Sequence, residues 1–105
     1  MDLKFSFNWN NKLDCIAFTT IRIFNPTLHT EGRAVNIFLK EKPLATGVIK
    51  KVKPFFLKDL NDYISYLDTG YDVENCTAVL RNMYQSFDFN NKQLALILIV
   101  KNKIK

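Results

Sequence analysis

The sequence predicts an α+β domain: a small β-barrel of about five or six strands with two helices inserted before the last strand. Three observations lead there. Apolar and polar residues alternate through the first half of the chain, a helical period takes over just past Pro54, and a nearly unbroken apolar run near the end reads as strand again.

Residues 4–9 set Phe5, Phe7 and Trp9 against Lys4, Ser6 and Asn8, the period of a half-buried strand, before Asn10 and Asn11 interrupt it. Residues 14–24 form a longer extended run. Phe18, Thr20 and Arg22 share one face of it and Ala17, Thr19 and Ile21 the other, and Pro26 ends the pairing because it has no N–H to donate. Glu31-Gly32-Arg33 is a turn in which Gly32 is free to take a positive φ, and it leads into an apolar run over 34–39. After a connection at 40–43, residues 44–52 return as the second strand of a hairpin. Gly47 inside that strand marks a bulge or a close backbone approach.

Leu57, Leu60, Tyr63, Ile64 and Leu67 then fall on one stripe of a first helix, and Gly70 is placed to end it in the left-handed conformation. Asp72 is the N-cap of a second helix and Glu74 complements its dipole. Val73, Cys76, Val79, Leu80 and Met83 form its buried face. The final run over 93–101 is apolar on both faces, which predicts a central strand.

Bulk composition bounds the function. With 105 residues, 48% hydrophobic and 13% aromatic, residues 1–105 make a single domain with one core. The first residues lack the basic start and apolar block of a secretory leader, so a cytoplasmic location is expected. The apolar run at 94–100 is far short of the roughly 20 residues a bilayer requires, so no membrane partner is expected. Cys15 and Cys76 lie far apart and read as buried free thiols, with neither a disulfide nor a zinc site. His29, in a polar loop, is the single histidine; it reads as exposed, and a multi-histidine metal site is ruled out. We therefore expect no metal and no cofactor.

The net charge of +5 suits an anionic partner, and its distribution is uneven. Lys40, Lys42, Lys50, Lys51, Lys53 and Lys58 face only Glu41 across residues 40–58, whereas residues 59–74 carry five carboxylates and neither Lys nor Arg. Lys50, Lys51 and Lys53 at a strand end read either as a phosphate-tracking patch, with Lys50 and Lys51 as its ligand residues, or as a solvated loop. Thr20 and Arg22 read either as a strand hydroxyl and a solvated guanidinium or as one wall of a polar site. An arginine fork beside hydroxyls suits a phosphate or a nucleobase edge. Tyr66 and Tyr71 flank the turn "LDTG" and read either as packing groups with a wet hydroxyl or as the lining of a nucleoside-sized pocket, with Asp68 accepting a hydrogen bond from a ring or exocyclic amine.

Four segments taken in order resemble a known family: "FTTIR", "TEGRAVNIFL", "ATGVIKKVKPFFLKDL" and "DVENCTAVLRNMY", which lie between about Asp14 and Val100. The chain is similar to the ASCH domain group, relatives of the PUA domain, and the resemblance implies a small PUA-like β-barrel. It also implies a cleft beside the 16–24 strand that binds RNA or a modified nucleoside. Some small bacterial members are acetylcytidine amidohydrolases, whose signature resembles G-x-K-x-x-T-x-R with a downstream glutamate. The threonine and arginine positions fall here on Thr20 and Arg22, and the glutamate position falls nearest Asp68. The lysine position falls on Ala17, and a methyl group neither takes up nor donates a proton.

The reading that follows is a non-enzymatic module binding RNA or a nucleoside-like small molecule, with Thr20, Arg22, Asp68, Tyr71, Lys50 and Lys51 as ligand residues and no catalytic residue. Two alternatives stand beside it. One is a small amidohydrolase acting on a modified nucleoside, in which Lys12 takes the missing role. The other is a protein-interaction domain that meets its partner through the acidic helices.

Overall fold

A computed structural model of the chain describes residues 1–102. Strand β1 (Asp2–Phe5) is followed by a 3-10 segment, Trp9–Asp14, and then by β2 (Ala17–Ile23), β3 (Ala34–Leu39) and β4 (Lys42–Phe55). A second 3-10 turn, Leu57–Asp59, leads to helices α1 (Asp62–Thr69) and α2 (Val73–Met83), and β5 (Leu94–Lys101) closes the order. The five strands form one mixed sheet in the order β1-β3-β4-β5-β2, curled into a half-barrel with the two helices on its outer face.

The curl follows from the length of β4. Its first part pairs with β3 and its second with β5, and the register shifts once between Ile37 and Phe38 and again between Ile49 and Lys51. Each bulge adds an unpaired residue to one strand and sharpens its bend, so a 14-residue strand turns the sheet instead of extending it. Pro54 sits inside β4 without breaking it. Beyond Ile49 the strand has β5 as its one neighbour, so the missing N–H falls on the free edge.

β5 is central, as its two-sided apolar pattern predicts, and it divides two cores. Ala95, Ile97 and Ile99 face the inside of the half-barrel with Leu3, Phe5, Leu13, Phe18, Val35, Ile37 and Ile49. Leu94 faces outward with Ile21, Phe55, Leu57, Leu60, Ile64, Cys76 and Leu80 under the helices. Each fully buried aliphatic side chain here contributes about 1.5–3 kcal/mol relative to exposure.

Several local signals are realised as read. Gly32 has φ 84° and Gly70 φ 79°. Asp72 caps α2 by accepting from the Asn75 N–H at 2.8 Å. Other expectations are corrected. The first strand stops at Phe5, because Trp9 belongs to the 3-10 segment in which Asn10 and Asn11 are left-handed. The stripe read for α1 does not hold together. Leu57, Leu60 and Ile64 are buried, whereas Tyr63 is 80% and Leu67 68% exposed. The reason is phase: Leu60 is extended at ψ 128°, so Leu57 and Ile64 lie on separate helical pieces, and α1 instead buries Ile64, Ser65, Asp68 and Thr69. On α2 Met83 is exposed where burial was expected. Cys15 is exposed while Cys76 is buried, because Cys15 lies in the open connection after the 3-10 segment.

Gly47 marks a close approach. A Cβ there would stand 2.6 Å from the Val100 carbonyl oxygen, on backbone that cannot swing away. Gly47→Ala is expected to destabilise the fold by about 1–3 kcal/mol, the usual cost of overpacking. Leu67→Ala, at an exposed position, should stay within about 0.5 kcal/mol of the parent. Denaturant unfolding of the two variants checks both figures.

Candidate functional site

The sheet leaves β1 and β2 as its two edges, and side chains link them. Arg22, on the inward face of β2, donates from Nη2 to the Lys4 carbonyl of β1 at 3.1 Å and from Nε to the Thr20 hydroxyl at 3.0 Å. Its guanidinium lies over the Phe5 ring, 4.7 Å from the centroid, and Phe5 meets Phe18 edge-on. Thr20 is 3% exposed, so neither its hydroxyl nor the arginine is the solvated group of the plainer sequence reading.

Beside this seam lies a buried ion pair. Lys12, from the 3-10 segment, contacts Asp68 of α1 at 3.0 Å, with both side chains almost wholly enclosed. Thr19 donates to the same Asp68 oxygen at 2.8 Å. The geometry of α1 explains why the carboxylate is inside. Three of its four buried residues are polar, and Ser65 and Thr69 satisfy themselves locally by donating to the carbonyls of Tyr71 and Ser65. Asp68 has no such local partner and takes its bonds from two other elements. Both fall on Oδ1; among the described residues Oδ2 has no hydrogen-bond partner, and it is not sealed from solvent.

Lys12, Thr20, Arg22 and Asp68 line one cavity of about 370 Å³. Phe5, Trp9, Ile21, Val79, Leu80 and Met83 give it apolar walls, and Lys40 and Glu41 also border it. Burial pulls the Lys12 amine below its ordinary value of 10.5, and nearby Arg22 adds to the effect, while Asp68 works against it. Burial also lowers the Arg22 guanidinium and raises the Tyr84 hydroxyl, which donates to the Ile21 carbonyl behind the cavity.

Three of the residues singled out in the sequence, Thr20, Arg22 and Asp68, thus converge. Tyr71 stands at one remove, edge-on to Trp9 with ring centroids 5.7 Å apart. Lys50 and Lys51 are elsewhere: both are exposed on β4, and Lys51 reaches Glu31 at 3.6 Å. Ala17 is exposed and, by strand alternation, on the face opposite Thr20. Lys12 lies inside the cavity beside Asp68, while Lys4 and Lys40 border it. Thr19, assigned to a packing face, is instead a partner of Asp68; a hydroxyl on an otherwise apolar face was the signal for it. His29 is half-buried, and its Nδ1 accepts from the Asn25 N–H at 3.0 Å.

Fold and site together define a small α+β half-barrel with a polar cavity at the seam between its edge strands. No family model and no curated protein matches the chain. Among solved structures it is similar to the crystal structure of protein EF3133 from Enterococcus faecalis V583, described by the family model DUF984. The identity is 14% over 83% of this chain and 60% of that one, with a TM-score of 0.55. At that identity the likeness shows the fold alone, and this chain spans 60% of the length of its neighbour. Among the described residues no helix is long and apolar enough to cross a membrane.

Removing one partner of a buried pair strands the other charge. Lys12→Met alone should cost about 3–5 kcal/mol, and Lys12→Met with Asp68→Leu should cost clearly less than the sum of the single changes. A double-mutant cycle in urea measures the coupling. Because the folded state holds the Lys12 proton less tightly than the unfolded state, this residue makes stability rise with pH up to about 10.5, the ordinary lysine value. Cys76 and Tyr84, whose values are raised by burial, act in the opposite sense. The Lys12 contribution is therefore read as the difference between the alkaline stability profiles of the parent and Lys12→Met, and the parent profile should rise relative to the variant.

Proposed function

We propose that the chain is a PUA-like module of ASCH type that binds a nucleoside-like ligand, free or as a unit of RNA, in the cavity beside β2. One observation carries the reading: polar groups from three separate elements converge on a space with apolar walls, and part of their hydrogen-bonding capacity is unspent. Lys12 and Arg22 supply donors, Asp68 Oδ2 supplies an acceptor, and the Thr20 hydroxyl accepts from Arg22 with its own proton left to donate. Such a set complements the alternating donors and acceptors of a nucleobase edge. The apolar wall of Trp9 suits its face.

A second reading is favoured by Lys12 itself. An amine lowered by burial and held by Asp68 is suited to proton transfer, which hydrolysis of an N-acylated base requires. Water would add to the acyl carbon, the C–N bond would break, and the departing nitrogen would take up a proton. In that case Lys12 replaces the family lysine that Ala17 lacks.

A screen of nucleosides, modified nucleosides and short RNAs for thermal stabilisation tests the proposal. A ligand at about ten times its Kd adds about 1.4 kcal/mol to the folded state. In a domain of this size that raises Tm by several degrees. The shift should shrink in Thr20→Val, which keeps the shape and loses the hydroxyl. Silence from every nucleoside and RNA would sink the binding reading; release of acetate from N4-acetylcytidine, lost in Lys12→Met, would select the second.

A further inference from the structure

We infer that the β3–β4 turn is a charged rim that selects a phosphorylated form of the ligand, an inference that rests on the nucleoside-binding reading above. Leu39 pairs with Lys42, so the turn consists of two residues, Lys40 and Glu41. Both are left-handed, with φ 50° and 68°. Two-residue turns of this kind favour Asn-Gly or Gly-Gly, because a side chain with a Cβ is strained at positive φ. This turn instead carries two long charged residues.

No contact among the described residues uses those side chains. Both residues are exposed, and among the described residues neither side chain makes a hydrogen bond or an ion pair. The backbone of the turn is nevertheless held in place, since the Lys40 N–H donates to the Phe5 carbonyl at 2.8 Å. Phe5 is also the ring under Arg22, so the turn is fastened to the wall of the cavity that it borders. The two-residue hairpin itself calls for positive φ at both positions, so the fold accounts for the backbone but not for Lys and Glu there, and costly side chains kept at the border of a site are the pattern of a functional constraint.

The charge of the lining names the ligand class. Lys4, Lys12, Arg22 and Lys40 stand against Glu41 and Asp68, so four cations meet two carboxylates around the cavity. That excess matches a phosphate monoester, which carries about −1.5 to −2 near neutrality. Asp68 is already matched by Lys12 in the interior, which leaves Lys40 for the phosphate near the turn. Glu41 opposes an anion on its own side, so the phosphate is steered to the Lys40 side of the turn. The base sits inward against Thr20, Arg22 and Asp68.

The test compares ribonucleosides with their 5′-monophosphates, in the parent chain and in Lys40→Asn with Glu41→Gly, by calorimetry at low salt. The monophosphate should bind the parent about tenfold more tightly than its nucleoside, a difference of about 1.4 kcal/mol. In the variant that ratio should fall close to one, although Asn-Gly relieves the turn and the variant should melt at a higher temperature than the parent. The rise in melting temperature makes loss of preference through misfolding visible, and Lys40→Gln alone repeats the affinity test with the backbone strain kept. A short oligoribonucleotide without terminal phosphates separates the two sources of phosphate: binding tighter than the monophosphate and dependent on Lys40 assigns the site to RNA, and weaker binding assigns it to free nucleotides. Equal affinity for nucleoside and monophosphate, or a preference that survives in both variants, overturns the inference while leaving the nucleoside reading intact. If neither form binds, both readings fall.

Discussion

The carboxylate of Asp68 is buried, and much of the structure is arranged around that one charge. An uncompensated carboxylate inside a protein is costly by several kcal/mol, so it must be paired and hydrogen-bonded where it stands. Lys12 and Thr19 do this through a single oxygen, and in doing so they join the 3-10 segment, the first helix and an edge strand. The contact between the 3-10 segment and the helix is reinforced where Asn10 donates to the Tyr66 carbonyl. Asn10 also fills the space beside Gly70, where a Cβ would come within 3.1 Å of its side-chain oxygen.

The same region solves the problem of an open sheet. β1 and β2 are edges, and unpaired edges are a liability that proteins cover or block. Arg22 does both. It satisfies a β1 carbonyl, stacks on Phe5, and fills the inward face of β2 with a group too polar for the aliphatic core beside it. A seam closed by side chains leaves a gap that a backbone ladder would fill. The cavity occupies that gap, with the closing groups as its lining.

Departures from local preference gather there as well. Among the described residues the four non-glycine positions with positive φ, Asn10, Asn11, Lys40 and Glu41, all lie in the two connections that flank the seam. Asparagine tolerates this conformation, whereas lysine and glutamate do not favour it. A chain whose remaining turns follow the usual chemistry, with glycine at 32 and 70, has concentrated its exceptions beside one cavity.

The residues alone determined the two apolar faces of the central last strand, the caps at Gly70 and Asp72, the hairpin, and the face that Thr20 and Arg22 share. These rest on period and local backbone preference, which act over a few residues and are written in sequence. The α1 face was read wrongly, because a helical period carries no information across an extended residue such as Leu60. Tertiary structure decided what Lys12 does, since a lysine in an asparagine-rich turn has the pattern of a solvated group until a carboxylate 56 residues away is folded against it. It also separated Lys50 and Lys51 from Thr20 and Arg22, and brought Lys40 and Glu41 to the cavity instead. Those placements depend on how far β4 bends and which strands become edges, and curvature of that kind is a property of the closed arrangement and not of any one stretch of chain.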